Sequence, residues 1–302
     1  MSRKTILVIF CYNRPEASKA RIKQLRNVNC PVMVSIDAQK SGIPLKDFDT
    51  LENEFSPSVT FAKNQKNQGL VMHFVTRMSE LFVNYDNIIV IEDDVSVEKS
   101  TINYLIEILQ ERLPQDILSV GLFGFLPGKL MSRFGCNRWR KTKYFSAWGF
   151  AMQREDWNSF NLEIEHELSK LETSKTWTKM SDREKAIWNH RFLRVIHNHQ
   201  FTWDTQMNFA GFCQEKKQLL PLFRLADNEG FNDARATNTS GRRPRWYKGI
   251  RGSINVIDKS SCNYEFRTVP KLLSQILEFF DAITWAGTRR FPKVFRKKAI
   301  WP

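Results

Sequence analysis

The sequence predicts an α/β protein, a mostly parallel sheet flanked by helices with a basic helical C-terminal extension. Three observations predict it. Over about the first 125 residues, short β-branched runs alternate with segments of helical periodicity, the pattern of βαβ units. The longest apolar runs, "TILVIFCY" and "NIIVI", have the length of strands and fall short of the roughly 18 residues of a membrane span. A chain of 302 residues, 42% hydrophobic and 26% charged, can bury a substantial core in one large domain or two small ones.

Taken in order, "TILVIFCY" is strand one. Arg3 and Lys4 precede it as they would a signal peptide, but the run is short and meets Asn13, Arg14 and Pro15 with no small-residue cleavage site. A helix follows, with Asn13 as the expected N-cap, Pro15 near its first position and apolar periodicity through Ala17, Ala20, Ile22 and Leu25. "PVMVSIDA" is a second strand ending in Asp37, "SVTFAKN" a third, "GLVMHFVTRMSELFVNY" a helix, and "NIIVI" a fourth strand that runs into Glu92, Asp93 and Asp94. "STINYLIEILQERL" is a helix and "ILSVGLFGF" a strand. From Gly128 to Lys143 there are six basic residues and no acids, which reads as an exposed loop. Next come "YFSAWGFAMQREDW", a Trp-rich helical stretch to about Asn208, a strand "QLLPLFRLA" and the loop "DNEGFNDARATNTS", turning at Gly230. No internal repeat is found. From Arg242 the chain is basic and turn-rich apart from one helix, "PKLLSQILEFFDAI". The expected division is 1–241 as the main domain, with halves 1–125 and 126–241, and 242–302 as the extension.

Five widely scattered cysteines without CxxC spacing suggest neither a disulfide framework nor a zinc site and fit a reducing cytosol. The net charge of +14 is uneven: residues 242–302 hold 14 Lys/Arg against 4 Asp/Glu, which is +10.

In an open parallel sheet, ligands bind beyond the carboxyl ends of the strands. Strand one ends in Cys11, Tyr12, Asn13 and Arg14, strand two in Asp37 and strand four in three acids, so all would lie on one edge. Adjacent acids can form a solvated turn or cap the next helix. Here they follow a wholly apolar strand that fixes their backbone, which favours a bound cation. Carboxylate oxygens suit Mg²⁺ or Mn²⁺, which keep water and take phosphate ligands. There are too few ligands for a calcium cage, and the spacing is not that of an EF-hand. A metal held with a diphosphate can offset the charge on a departing nucleotide diphosphate.

The pieces "ILVIFCYNR", "VSIDA", "IIVIEDDVSV", "FSAWGFAMQREDW" and "WDTQM", in that order over residues 6 to about 207, resemble glycosyltransferases of the GT-A (Rossmann-like) fold. There an acidic DXD triplet binds metal and nucleotide-sugar. More narrowly, the chain is similar to the alpha-mannoside beta-1,2-N-acetylglucosaminyltransferase class and to bacterial relatives in polysaccharide synthesis. "GFNDARATNTS" extends the likeness to those relatives. The resemblance implies Asp94 as the metal ligand for Mn²⁺ or Mg²⁺, with Glu92 and Asp93 towards sugar and ribose hydroxyls. Cys11, Asn13, Arg14 and Asp37 would line the nucleotide site, the aspartate accepting from the base. Trp148 would stack on the acceptor sugar. An inverting transfer needs a base for the acceptor hydroxyl, and the candidate is Asp204, beside Trp203. The family's stretch reads Trp-Asp-Asp-x-Met with the base at the second acid, where this chain has Thr205. Asp233 is the reserve. Asn238 stands where bacterial relatives carry a histidine.

Each assignment has a plainer alternative: Arg14 as a surface residue, Asp37 as a loop start, Asp204 as a helix cap, Trp148 as core. His190, His197 and His199 read as surface helix residues. The function implied is a metal-dependent, inverting transfer from a nucleotide-diphosphate sugar, UDP-sugar favoured, to a hydroxyl of a glycan or lipid-linked saccharide in surface polysaccharide synthesis. "GTRRFPKVFRKKAIWP" interleaves cations with Phe291, Phe295 and Trp301, which suits nucleic acid or an anionic membrane. An enzyme extending a lipid-linked glycan gains from surface attachment. The expected location is therefore cytoplasmic, peripheral to the inner membrane face, with nucleic acid the weaker candidate. Two other classes stay open. One is a nucleotidyltransferase of related fold, although no Gly-rich basic loop follows strand one. The other is a non-catalytic nucleic-acid-binding protein, which would leave the acids idle.

Overall fold

The computed structural model describes residues 2–38, 46–56, 58–124, 126, 138–231 and 267–285. The expected α/β class is what forms. Strands and helices alternate as β1 (Thr5–Cys11), α1 (Pro15–Leu25), β2 (Val32–Ile36), α2 (Lys46–Phe55), β3 (Thr60–Lys63), α3 (Gly69–Asn84) and β4 (Asn87–Glu92). A two-residue turn, Asp93 and Asp94, leads from β4 into β5 (Val95–Val97), and α4 (Lys99–Ile108) leads to β6 (Ile117–Gly121). The sheet is completed by β7 (Arg138–Thr142), β8 (Phe150–Gln153) and β9 (Lys217–Pro221), while β10 (Ala226–Asn228) pairs with β5 outside it. With β11 (Arg267–Thr268), the nine-strand order is β11-β7-β9-β6-β8-β4-β1-β2-β3. Antiparallel contacts are confined to β8, set between β4 and β6, and to the β7–β9 pair.

β1, β2 and β4 run parallel at the centre, so their carboxyl ends share one edge. Strands buried on both faces carry no polar alternation. Along β1, Leu7, Ile9 and Cys11 join the layer that contains α1, α2 and α4; Ile6, Val8 and Phe10 join the layer that contains Phe74 and Met78 of α3, together with Trp157 and Trp203. Each of these side chains, taken from full exposure to burial, stabilises the fold by about 1.5–3 kcal/mol. A third cluster gathers Tyr144, Trp177, Trp188, Phe192, Phe209 and Phe212 beneath the helices Asp182–His197 and Asp204–Cys213. The first of these helices opens on a capping box between Ser181 and Glu184.

Several elements differ from expectation. The N-cap of α1 is Arg14, one residue beyond Asn13, with Pro15 at the first helical position as expected. α2 was not anticipated, although Phe48, Leu51 and Phe55 recur at helical spacing and are its buried residues. The basic stretch read as a loop contains β7, on which Trp139 and Arg140 are buried. Arg140 can be buried because Asp281 meets it with two hydrogen bonds, Nη2 to Oδ1 at 2.8 Å and Nη1 to Oδ2. Asp281 lies on the helix Lys271–Trp285, and β11 just before that helix pairs in parallel with β7. Residues 267–285 of the C-terminal extension are thus joined to the sheet. The tail 287–302, Asp233 and Asn238 lie outside the described residues. Among the described residues, no helix is long and apolar enough to cross a membrane.

Candidate active site

A cavity of about 550 Å³ opens at the carboxyl ends of β1, β2 and β4, within the size range of small-molecule sites. Nearly every residue singled out from the sequence lines it: Cys11, Asn13 and Arg14 after β1, Asp37 after β2, Glu92, Asp93 and Asp94 after β4, Trp148, and Asp204.

The three acids have an internal cation. Arg14 Nη1 donates to Asp94 Oδ2 at 3.0 Å and Nη2 donates to Asp93 Oδ1. Pro15 starts α1 immediately after Arg14 and so fixes its position over the turn. The Ser18 hydroxyl, one turn on, lies 3.4 Å from Asp93 Oδ2. Burial opposes the arginine's charge, but Asp93 and Asp94 together hold its pKa above the usual value. Burial also pushes Asp93 up to about 6, with Arg14 pulling the other way. Glu92, carried to the same face as Ile88 and Val90, is pushed by burial and then by Asp94 and Asp93 up to about 8. The Cys11 thiol is pushed up by burial and by Asp93, so it is an un-ionised wall of the cavity.

One oxygen is left over. Asp94 Oδ1 is buried and has no hydrogen-bond partner among the described residues. A buried, unsatisfied carboxylate oxygen is costly, and a hard divalent cation is a ligand that would answer it. Among the described residues, no three of His, Cys, Asp and Glu converge into a complete metal cage. The donor set therefore fits a cation that draws its other ligands from water and phosphate.

Asp37 has a structural task. Its carboxylate accepts from the Asn64 and Asn67 side-chain amides at 3.0 and 3.1 Å and from the backbone N–H groups of Gln68 and Gly69, both at 3.0 Å. It thereby closes the entry to α3, where Gly69 adopts φ +78°, a conformation that favours glycine. His73, not singled out from the sequence, sits one turn into α3 and lines the cavity. Its Nε2 lies 2.8 Å from Ser35 Oγ, which accepts from Arg77 Nε at 3.0 Å. Since Arg77 can only donate, the serine proton is available to His73.

Burial holds His73 down at about 4, against the pull of Asp37. A base depressed in the fold stays neutral there while the unfolded chain takes up a proton. Stability from this group is therefore lost as pH falls from about 6.5 to about 4, a total of about 3 kcal/mol. Denaturant titrations across that window should show His73→Gln losing less stability on acidification than the wild type. An equal loss would remove His73 from the acid response.

Asp204 is the first residue of its helix, with Trp203 at the N-cap and no side-chain cap, so the capping alternative does not hold. Trp203 stacks on Phe74 with centroids 3.8 Å apart. Asp204 Oδ1 accepts from the Thr202 hydroxyl and, at 3.5 Å, from Thr205. Its other oxygen has no protein partner among the described residues. The helical rotation of about 100° per residue turns Thr205 away into the interior, where it is buried, so position 204 faces the cavity and 205 does not. Trp148 is half-buried and stands edge-on to Phe123 and Phe231, at 4.9 and 5.7 Å. Gly149 beside it has φ +75° and would bring a Cβ to 3.1 Å from Leu122, which directs Trp148 to the cavity and Phe150 to the core. On the remaining side, the backbone N–H of Glu229 donates to the Asp94 carbonyl at 2.7 Å, and Arg21 holds the Glu229 carboxylate at 2.9 Å. Of the three histidines read as surface residues, only His197 is exposed; His190 and His199 are partly buried, and none lines the cavity.

Compared with known protein families and with curated proteins, the chain finds no match. Among solved structures it is similar to a mannosyltransferase from Pyrobaculum calidifontis in complex with GDP-Man and Mn²⁺, at 13% identity over 55% of this chain and 47% of that one, TM-score 0.38. It is also similar to GalNAc-T7 with UDP, GalNAc and Mn²⁺, at 11% identity over 82% and 48%, TM-score 0.45. A third is mannose-1-phosphate geranyltransferase from Thermus thermophilus, at 10% identity over 74% and 76%, TM-score 0.41. The chain spans about half the length of the first two. At identities this low and TM-scores below 0.5, these likenesses decide neither substrate nor reaction.

Proposed function

We propose that the protein is a metal-dependent, inverting glycosyltransferase of the GT-A type. It moves a sugar from a nucleotide-diphosphate sugar, UDP-sugar favoured, to a hydroxyl of a glycan or lipid-linked saccharide in surface polysaccharide synthesis. Its place is the inner face of the cytoplasmic membrane, reached through the basic C-terminus. The observation that carries this reading is the unpartnered, buried Asp94 Oδ1 in a cavity that also holds Arg14 and Asp204.

Asp94 would hold Mn²⁺ or Mg²⁺, which when bound supplies positive charge to the leaving diphosphate. Arg14 adds a second, fixed charge on the same wall. Glu92 and Asp93 lie towards the donor's sugar and ribose hydroxyls, and Trp148 offers an aromatic face to the acceptor sugar. Asp204, oriented through Oδ1 by Thr202, takes the acceptor hydroxyl's proton on its free oxygen. The acceptor oxygen bonds to the anomeric carbon as the bond from that carbon to the diphosphate breaks, and the diphosphate leaves with the electron pair. Asp233 is the alternative base.

The test is thermal unfolding of the protein with UDP, GDP, CDP and dTDP, each with Mn²⁺ and with EDTA. A ligand that binds only the native state raises the melting temperature according to its affinity. UDP with Mn²⁺ is expected to raise it, and EDTA to cancel the rise. No shift with any nucleotide would reduce the acids to a structural turn held by Arg14.

A further inference from the structure

We propose that the outward face of the helix Lys271–Trp285 is a docking surface for an anionic lipid bilayer. This deepens the membrane attachment proposed above and stands or falls apart from the transferase reading. Leu272, Ile276 and Phe279 are 70%, 47% and 64% exposed. Their spacing of i, i+4 and i+7 puts them on one stripe. Only six large apolar side chains are exposed among the described residues, so half of them fall on this one helix.

The helix cannot bury the stripe by rolling over. Its other face is already engaged: Leu277 is 4% exposed, Leu273 packs on the core, and Asp281 is clamped by Arg140 of β7. The helix's own acids are also answered from within. Asp281 has Arg140, and Glu278 lies 4.0 Å from Lys143 while burial pushes its pKa up. The segment after the helix is cationic, since residues 286–302 carry six Lys/Arg and no acid, with Phe291, Phe295 and Trp301 among them. An apolar helix face followed in sequence by basic residues is the composition of an element that lies in the lipid interface, apolar side inward and cations at the headgroups.

Charge chooses between bilayer and second copy. A second copy carries the same net charge of +14 and is repelled by it, whereas an anionic surface is attracted. The helix sits by β7 and β11, at the far end of the strand order from β2 and β3. Docking there leaves the cavity at β1, β2 and β4 uncovered.

The test is sedimentation of the full chain with phosphatidylcholine vesicles, with and without phosphatidylserine, at low and high salt. The wild type should pellet only with phosphatidylserine at low salt. The triple variant Leu272→Ser, Ile276→Ser, Phe279→Ser should bind about 100-fold more weakly while keeping the wild type's thermal response to UDP and Mn²⁺. If the triple variant does not fold, Phe279→Ser alone should weaken binding in the same direction. A wild type that stays in the supernatant overturns the proposal. So does a folded variant that pellets like the wild type, which would leave attachment to the tail. A wild-type dimer that the variant converts to a monomer, with no vesicle binding, would give the stripe to a second copy instead. The absence of any nucleotide response, with vesicle binding intact, would count only against the transferase reading.

Discussion

Replacing Asp94 by asparagine will abolish the Mn²⁺-dependent response to nucleotide and lower transfer on the order of 10³-fold, with little loss of stability. The two effects separate because of what Asp94 does in the folded chain. One of its oxygens accepts from Arg14, a bond that an asparagine oxygen can keep, and the other accepts from nothing among the described residues. What is lost is Asp94's share of the charge pairing with Arg14, and Asp93 keeps that arginine paired. Repulsion is lost as well: after burial, Asp94 is the largest cause of Glu92's rise to about 8. In the variant Glu92 should titrate lower, and the turn should be no less stable than before. A divalent cation, in contrast, needs the charge that the amide lacks. Calorimetry and thermal unfolding with UDP, with and without Mn²⁺, check both halves together. A variant that keeps the wild type's metal-dependent shift would show that Asp94 does not hold the cation. A variant that melts far lower would make it a structural acid whose value lies in Arg14.

What could be read in the sequence was whatever is local. The central strands are runs of apolar residues buried on both faces, so β1, β2 and β4 and their shared edge follow from composition alone. Asp204 was legible as a residue, but not the reason it faces the cavity while Thr205 does not. That depends on where its helix begins. Asp37 was legible as a strand end, whereas its partners Asn64, Asn67, Gln68 and Gly69 arrive from a loop 27 to 32 residues further on. β7 was misread for the same kind of reason. "RWRKT" reads as a solvated basic stretch until Asp281, 141 residues downstream, neutralises Arg140. His73 left one faint signal, a histidine between Val71 and Phe74 in an otherwise apolar helical face. Arg77 lies one turn further along the same helix, but nothing nearby in sequence announces that Ser35 of β2 waits for both. Long-range polar pairing decides these cases, and apolar periodicity does not report it.

Asp204→Asn is expected to lower turnover by about 10²–10⁴-fold, the contribution of a positioned general base, while the thermal response to UDP and Mn²⁺ stays as in the wild type. Asparagine keeps the size of the side chain and an oxygen for the Thr202 hydroxyl, so the start of the helix Asp204–Cys213 should hold its shape. What disappears is a carboxylate oxygen, free of protein partners, able to take a proton. On the proposed reading the donor is held by Arg14 and the β4 acids and not by Asp204, so the loss should fall on kcat and leave the KM for donor unchanged. Steady-state kinetics with sugar donors of the nucleotide that gives the thermal response make the separation visible. Activity near that of the wild type would exclude Asp204 as the base and pass the role to Asp233. A loss of nucleotide response together with turnover would mean that Asp204 positions the donor. That outcome has a route on the structure, because Asp204 adds to the charge that raises Glu92. The two carboxyls share one cavity, so removing one also resets the protonation of the other. A pH profile of kcat distinguishes the two outcomes. If Asp204 is the base, the variant turns over slowly across the whole pH range while the limb that belongs to Glu92, pushed up to about 8 in the wild type, persists and moves slightly down.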